Sequence, residues 1–325
     1  MHTNFQPAPV IPYLIKCIEL QTYPMDKMEW VIIDDGSDKV VDIIDEFKLR
    51  SNGLQVKYFE SAKQLTLGNK RNIMHDKCTG DIIVYMDDDD YYPPERVSHA
   101  VETLLANPAA LCAGSSEMHI YFDHIKTLYQ CGPYGPNHAT AATFAFRRAL
   151  LDCVRYDDKS AVAEEKHFLK NYTIPFVQLD TTKSILVFAH IHNSVDKKTL
   201  IESPNKYIQK SSKQLSEFFN NNCKETQQLR QFYVDNLNET LAAYTLGKPE
   251  LKPEMMKQIN NMAEERKKLL GPLQEIQEQM QYQFNVQLQE VRASYEQALA
   301  NKDYLIQMLM KQNKELKELK NKKQL

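Results

Sequence analysis

The first 110 residues alternate short apolar runs with stretches of helical periodicity. Apolar runs at 30–33 and 82–86 have the length of buried strands, and Gln55-Val-Lys-Tyr-Phe59 is predicted to be a strand between them. Between the first two strands, Val40, Ile43, Ile44 and Phe47 recur at the spacing of one helix face. The order strand, helix, strand, helix, strand, helix predicts a mostly parallel sheet flanked by helices, which is an α/β fold.

Two acidic clusters follow two of these predicted strands. Asp34 and Asp35 precede Gly36 directly after the first apolar run, and Asp87 to Asp90 follow the run at 82–86. Because ligands of parallel sheets bind beyond the carboxyl ends of the strands, we expect the two clusters to meet at one edge. An acidic turn exposed to solvent, or a helix cap after the first strand, is the alternative interpretation of each cluster taken alone.

Four adjacent carboxylates favour a bound cation. Asp87 to Asp90 repel one another and raise one another's pKa, and a divalent cation relieves that repulsion. Mg²⁺ and Mn²⁺ prefer carboxylate oxygen and leave positions free for substrate phosphates. The sequence therefore predicts a site for Mn²⁺ or Mg²⁺ at the end of the strand.

The character of the chain changes after about residue 200. Glycine becomes rare, and residues 205–244 and the stretch from Pro253 onward are predicted to be helical, with a break at 247–249 and another at Gly271-Pro272. A heptad-like seam predicts a coiled coil and a homo-oligomer formed through this helix; the alternative is a long helix that packs on its own domain. The seam consists of Leu273, Ile276, Met280, Phe284, Leu288, Val291, Tyr295, Ala298, Leu305, Leu309, Leu316 and Leu319.

Composition narrows the function classes. A formal net charge of −3 gives no general attraction to nucleic acid or to an anionic membrane, so no nucleic-acid partner is expected. The sequence contains no apolar run of about 18 residues that would span a bilayer, and residues 1–10 lack the features of a secretory signal. The six cysteines form no Cys-x-x-Cys pair, which argues against a thiolate zinc site and predicts a cytoplasmic, reducing location.

Five motifs together resemble the family 2 glycosyltransferases of the GT-A fold, over residues 11–195. They are Gln21-Thr-Tyr-Pro24, Trp30-Val-Ile-Ile-Asp-Asp-Gly-Ser37, Gly68-Asn-Lys-Arg-Asn72, Thr79-Gly-Asp-Ile-Ile-Val-Tyr-Met-Asp-Asp-Asp-Asp90 and Pro94-Glu-Arg96. The resemblance implies a Rossmann-like GT-A domain over residues 1–200, a helical linker region over 201–250 and a long helix or coiled coil over 251–325. The segments Ala163-Glu-Glu-Lys-His-Phe-Leu169 and His190-Ile-His-Asn193 resemble the branch found in large DNA viruses, which would place the protein in the host cytoplasm.

The resemblance also implies roles for individual residues. Glu165 would be the general base, with Glu164 as the alternative, because a Glu-Glu pair stands where the family has Glu-Asp. A surface charge remains the alternative for Arg71, and a structural role remains the alternative for His192. The implied nucleotide-sugar contacts are Asp34, Asp35, Arg71, Asp87 and Asp88, and the implied metal ligands, which include the Asp-x-Asp pattern of the family, are Asp89, Asp87 and His192.

The implied reaction is an inverting hexosyl transfer. Glu165 would take a proton from an acceptor hydroxyl, and that oxygen would attack the anomeric carbon opposite the leaving diphosphate. The donor is expected to be a nucleotide sugar, with UDP as the commonest carrier, and the acceptor a glycan, protein or lipid. His138, in a loop rich in glycine and proline, is a candidate for the acceptor site.

One departure from the family concerns the N-terminus. Relatives begin with an apolar central strand, and residues 1–10 carry no such run, so the first strand is expected to be missing, with His2-Thr3-Asn4 as the remnant of its turn. Loss of that strand would expose strand edges, which keeps open a catalytically impaired domain serving as the head of a coiled-coil scaffold protein. A nucleotidyltransferase is the other alternative, although the chain lacks a Gly-rich basic phosphate loop near its N-terminus.

Overall fold

A computed structural model of the 325-residue chain describes residues 2–4, 8–162, 165–193, 195–202, 205–220, 223–246 and 248–322. The chain forms two compact units, Met1–Ile259 and Asn260–Leu325. The strands are β1 (His2–Asn4), β2 (Glu29–Asp34), β3 (Gln55–Glu60), β4 (Ile82–Val84), β5 (Cys112–Gly114), β6 (Met118–Phe122), β7 (Thr127–Cys131), β8 (Ala145–Arg147), β9 (Phe176–Gln178), β10 (Val187–Ala189) and β11 (Ile208–Lys210). The helices are α1 (Ile11–Glu19), α2 (Val41–Lys48), α3 (Leu67–Lys77), α4 (Arg96–Ala106), α5 (Glu165–Phe168), α6 (Leu215–Phe218), α7 (Lys224–Gln231), α8 (Leu237–Ala242) and α9 (Pro253–Lys322).

The strands of the first unit form three sheets. One is parallel throughout, in the order β1-β2-β3. The other two, β4-β8-β5-β9 and β10-β6-β7-β11, mix parallel and antiparallel pairs. The first unit therefore contains more antiparallel pairing than the sequence predicted, because antiparallel hairpins such as β6-β7 form after residue 110.

The strand at the N-terminus differs from the prediction. His2–Asn4 pairs in parallel with Ile32–Asp34, at the carboxyl end of β2. The expectation that the first strand is missing is thereby corrected: a strand of three residues lies beside β2. It borders the point where the first acidic cluster begins.

Residues 201–250 also differ from the predicted helical linker. β11 pairs with β7, and three short helices follow, with a π-helical segment at Phe232–Asn236 between α7 and α8. Phe218, Leu229, Phe232 and Leu241 are buried in the main core. These residues belong to the first unit because their apolar faces pack against it, so the helical prediction for 205–244 holds only from residue 215.

The second unit is the greater part of α9, which has 70 residues. The predicted interruption at Gly271-Pro272 is wrong, since the helix continues across both residues. A proline inside a helix costs about 3 kcal/mol, and the strong helix formers on either side outweigh it. Within the described residues, no helix combines the length and the apolar character needed to cross a lipid bilayer.

Candidate active site

Asp34 holds together the loop that follows β2. Its Oδ1 accepts the backbone N–H of Gly36 (3.0 Å), and its Oδ2 accepts the N–H of Val40 (3.0 Å). The Tyr58 hydroxyl donates to Oδ2 as well, at 2.5 Å. Both carboxylate oxygens of the buried Asp34 are thus engaged by the protein itself, which fixes the start of α2.

Asp35 forms a buried ion pair with Lys70 of α3. Lys70 Nζ donates to Asp35 Oδ1, and the backbone N–H of Leu65 donates to Oδ2 at 2.8 Å. Burial lowers the pKa of Lys70 to about 8, against the opposing charges of Asp35 and Asp88. The same ammonium therefore lies within electrostatic reach of both acidic clusters.

The four aspartates after β4 have different environments. Burial, followed by the charges of Asp89 and Asp87, raises the pKa of Asp88 well above its usual range. Burial and the charge of Asp89 raise the pKa of Asp90, whose Oδ1 accepts the N–H of Phe188 at 3.2 Å. Two carboxyls of this cluster are therefore destabilised in their ionised form, which is the condition that a bound cation relieves.

Asp89 is the member of the cluster that contacts a histidine. His190 Nε2 lies 3.1 Å from Asp89 Oδ2, and the amide of Asn193 donates to the same oxygen at 3.4 Å. Burial disfavours the ionised carboxyl, but the hydrogen bond and charge of His190 hold the pKa of Asp89 below its usual range.

His192 occupies a different position from the one implied by the resemblance. It is fully buried, and its Nε2 donates to the carbonyl oxygen of Leu241 in α8 at 3.0 Å. Only its Nδ1 could therefore approach a metal. His190 contacts Asp89 instead, so the histidine adjacent to the acidic cluster is two residues earlier than the predicted ligand.

Lys252 brings a second ammonium to the acidic edge. The side chain is 5% exposed, and burial lowers its pKa while Asp88, Asp89 and Asp35 raise it. Lys252 acts electrostatically on members of both clusters. Members of both acidic clusters therefore act on the same two buried ammonium groups, those of Lys70 and Lys252.

Arg71 is not a surface charge. Its guanidinium lies over the rings of Tyr85 and Tyr156, at 4.9 and 5.2 Å from the ring centroids, and the residue is 4% exposed. Such a contact between a cation and aromatic faces stabilises a desolvated charge. Arg71 lies beside Tyr85, which is two residues before Asp87, the first residue of the second acidic cluster.

Glu165 begins α5, and its Oε1 accepts the backbone N–H of Ala141 at 3.3 Å. The side chain is half-buried. The alternative base, Glu164, lies outside the described residues.

The donor set fits a hard divalent cation that shares its coordination with substrate. Asp89 and Asp87 offer carboxylate oxygens, whereas His190 offers no available ring nitrogen, because its Nδ1 accepts the N–H of His192 at 3.2 Å and its Nε2 faces Asp89 Oδ2 at 3.1 Å. Among the described residues, no three side chains of His, Cys, Asp or Glu come together as a complete metal site. Because Mg²⁺ and Mn²⁺ commonly keep water and phosphate ligands, two protein ligands are compatible with such an ion.

Three residues of the site escaped the sequence analysis. Lys70 lies in α3 and Lys252 directly precedes α9, and only the folded chain shows that both lysines are buried. His190 had a sequence signal, since it stands two residues before His192 in an apolar segment.

Residues 4–155 match the family model described as Glycosyl transferase family 2, which is a little under half of the chain. That segment is similar to glycosyltransferase family 2 domains, and the predicted α/β fold of the GT-A type is confirmed. In structure the chain is similar to the mannosyltransferase PcManGT from Pyrobaculum calidifontis in complex with GDP-Man and Mn²⁺, with a TM-score of 0.48 and 15% identity over 81% of this chain and 78% of that chain. It is also similar to S. aureus TarS 1-349 in complex with UDP-GlcNAc, with a TM-score of 0.44 and 16% identity over 79% of this chain and 77% of that chain. No curated protein matches the chain in sequence.

Proposed function

We propose that the chain transfers a sugar from a nucleotide-sugar donor to an acceptor hydroxyl, with inversion at the anomeric carbon and with a divalent cation. The observation that carries the proposal is the convergence of the two acidic clusters. Lys70 forms an ion pair with Asp35, and the charge of Asp88 also raises its pKa. The charges of Asp35, Asp88 and Asp89 raise the pKa of Lys252. The family match over residues 4–155 supports a glycosyltransferase at this place in the fold.

The donor would bind at this acidic edge. Asp35 would contribute through its ion pair with Lys70, whose pKa also depends on the charge of Asp88, whereas Asp34 holds the loop that follows β2. Asp87, Asp88 and Arg71 would contact the nucleotide sugar, as the family resemblance implies. A UDP-linked sugar is the first donor to test.

The cation would be held by Asp89 and Asp87, and His190 would orient Asp89 through the contact between its Nε2 and Asp89 Oδ2. When bound, Mn²⁺ or Mg²⁺ supplies positive charge that stabilises the leaving diphosphate. Asn193 orients Asp89 through a hydrogen bond, and His192 anchors the same turn to α8.

Glu165 would act as the general base. It would accept the proton of the acceptor hydroxyl as that oxygen forms a bond to the anomeric carbon, and the bond to the nucleoside diphosphate breaks on the opposite face. The backbone N–H of Ala141 donates to Oε1 of Glu165 at 3.3 Å, which positions the carboxylate. Glu164 remains the alternative base.

The test is a donor-hydrolysis screen over UDP-, GDP- and other nucleotide sugars with Mn²⁺. Wild type is expected to release nucleoside diphosphate from one donor class, and Asp89→Asn is expected to lower that rate at least 100-fold. Asp152→Asn, at an exposed aspartate of a short helical turn, is the matched control and keeps wild-type activity. Equal rates for wild type and Asp89→Asn would remove Asp89 from the mechanism. Release of pyrophosphate with nucleotidyl transfer would replace the proposal by a nucleotidyltransferase, and absence of any reaction with all donors would favour a scaffold.

Self-association through α9 is supported by the exposure of apolar side chains in the second unit. Met280, Phe284, Leu288 and Val291 are each more than half exposed. A stripe of this kind is normally covered by a partner helix, and we infer that the partner is α9 of a second chain. The cytoplasm is the proposed location, since all six cysteines are free thiols; the likeness to transferases of large DNA viruses stays a prediction.

A further inference from the structure

A row of aromatic rings is built on two residues of the loop that follows β7, Tyr134 and His138. The rings of Tyr134 and His138 have centroids 4.9 Å apart, and His138 packs on Tyr172 at 5.2 Å. Tyr207 packs on Tyr134 from the other side, also at 5.2 Å. These four residues are called the aromatic row below.

The aromatic row is both accessible and held in place. Tyr134 is 41% exposed. The Ser116 hydroxyl accepts the N–H groups of Tyr134 and Gly135, at 2.8 and 2.9 Å, and Gln178 Nε2 donates to the carbonyl oxygen of His138 at 2.9 Å. A surface whose backbone is fixed by hydrogen bonds is organised before a ligand arrives, which lowers the entropy lost on binding.

The row adjoins the proposed catalytic base. The loop that carries His138 continues to Ala141, whose N–H binds Glu165 Oε1 at 3.3 Å. At the other end, burial and then the charge of Glu165 raise the pKa of Tyr172. The row and Glu165 therefore line one surface.

Tyr172 is presented by an unusual turn. Lys170, Asn171 and Tyr172 all have positive φ, at 47, 56 and 63°, and none is glycine. The turn is held by the bond from Asn171 N to the carbonyl oxygen of Lys166 (2.8 Å). Three successive residues in the left-handed region are strained, and such strain concentrates at functional sites.

One polar atom in the row has no partner within the part of the chain that the structure describes. His138 Nδ1 is shielded from solvent and makes no hydrogen bond there. Burial lowers the pKa of His138 below its ordinary value, so the ring is neutral near pH 7 and offers an uncharged hydrogen-bonding nitrogen. A buried polar atom left without a bond is costly, and a ligand hydroxyl would satisfy it.

We propose that the aromatic row binds the acceptor and that the acceptor is a saccharide, a proposal that rests on the proposed transfer reaction. A sugar ring combines a C–H face, which packs on the electron-rich face of Tyr134, with hydroxyls, which need neutral partners such as His138 Nδ1. The row is short and interrupted by polar atoms, whereas a lipid chain would need a continuous apolar groove. Bound in this place, a sugar hydroxyl lies beside Glu165.

The experiment measures saccharide binding and transfer separately. Saturation-transfer NMR with glucose, galactose, mannose, N-acetylglucosamine and their disaccharides detects binding without any donor. The donor found in the hydrolysis screen then gives the acceptor KM and kcat for each saccharide that binds. The variants are Tyr134→Ala, Tyr134→Phe and His138→Ala, with Tyr282→Ala in α9 as the exposed-tyrosine control.

At least one saccharide is expected to bind, and Tyr134→Ala and His138→Ala are expected to raise its acceptor KM about tenfold or more with a smaller change in kcat. Tyr134→Phe keeps the ring and should stay within about twofold of wild type, as should Tyr282→Ala. Absence of saccharide binding, transfer to peptides or lipids only, or an unchanged KM in Tyr134→Ala would overturn the inference. Saccharide binding without hydrolysis of any donor would instead retain the aromatic row and remove the proposed transfer reaction.

Discussion

Asp34 is the acidic residue for which structure and family resemblance lead to opposite expectations. The resemblance places it on the nucleotide, whereas the structure engages both of its oxygens with Gly36, Val40 and Tyr58. We therefore expect Asp34→Ala to reduce stability rather than donor affinity. Hydrogen bonds to a charged group contribute about 1.5–3 kcal/mol each, and water can re-solvate part of the loop, so we expect the free energy of unfolding to fall by about 3–5 kcal/mol.

The single tryptophan makes this measurement direct. Trp30 is buried in β2, four residues before Asp34, so its emission reports the unfolding of the first unit in urea. The loss corresponds to a midpoint lower by about 1–2 M urea. Asp38→Ala is the control in the same loop, because Asp38 accepts one hydrogen bond, from Tyr244 at 2.8 Å, and should cost about 1 kcal/mol. A variant at Asp34 that keeps its stability but loses affinity for nucleoside diphosphate would refute the reasoning and return Asp34 to the nucleotide site.

Three further predictions concern pH, cation binding and assembly. Burial holds the pKa of His75 at about 3, below the ordinary 6.5, so the unfolded chain takes up a proton first as pH falls. The free energy of unfolding of wild type should therefore fall by about 2 kcal/mol more than that of His75→Gln between pH 7 and pH 5. Urea unfolding measures both losses, with exposed His167→Gln as the control, and equal losses would contradict the assignment. Lys252→Gln removes a charge that competes with a cation at the acidic edge, so the Mn²⁺ affinity measured by electron paramagnetic resonance should rise several-fold. Exposed Lys257→Gln should bind Mn²⁺ as wild type does, and an unchanged affinity in Lys252→Gln would place the Lys252 ammonium away from the cation. Deleting residues 260–325 should reduce the mass measured by light scattering to that of a monomer, and an unchanged mass would end the coiled-coil proposal.

The local spacing of apolar residues was sufficient to predict the helix and the strand that adjoin the first acidic cluster. Val40, Ile44 and Phe47 were predicted to share one helix face, and all three are buried, each about 1% exposed. β2 lies where the apolar run at 30–33 predicted it. These predictions succeed because alternating strands and helices bury each apolar face against the next element in the chain, which is information of short range.

The two histidines show where that information ends. An extended segment would place His190 and His192 on the same face, which is why either could be predicted beside the acidic cluster. β10 ends at Ala189, and a turn follows, closed by the bond from His190 N to Asn193 Oδ1 at 2.9 Å. The two rings therefore separate, one toward Asp89 and the other toward Leu241. A turn of four residues decides which histidine lies beside Asp89, and nothing in the apolar pattern signals that turn.

Residues beyond position 200 contact the acidic edge, so the domain that forms this edge is longer than the sequence predicted. Tyr233 donates to the carbonyl oxygen of Asp90 at 2.9 Å, Leu241 accepts from His192, and Lys252 supplies a charge to the acidic edge. Each of these residues lies beyond the predicted boundary at 200 and beyond the segment that matches the family. A fragment ending at residue 200 would leave the Asp90 carbonyl and the ring of His192 without these buried partners, and buried polar groups without partners cost about 1–3 kcal/mol each. The arrangement of the acidic edge is therefore a property of the whole first unit through Ile259, because the segment after residue 200 holds the acidic loop and the histidine turn in place.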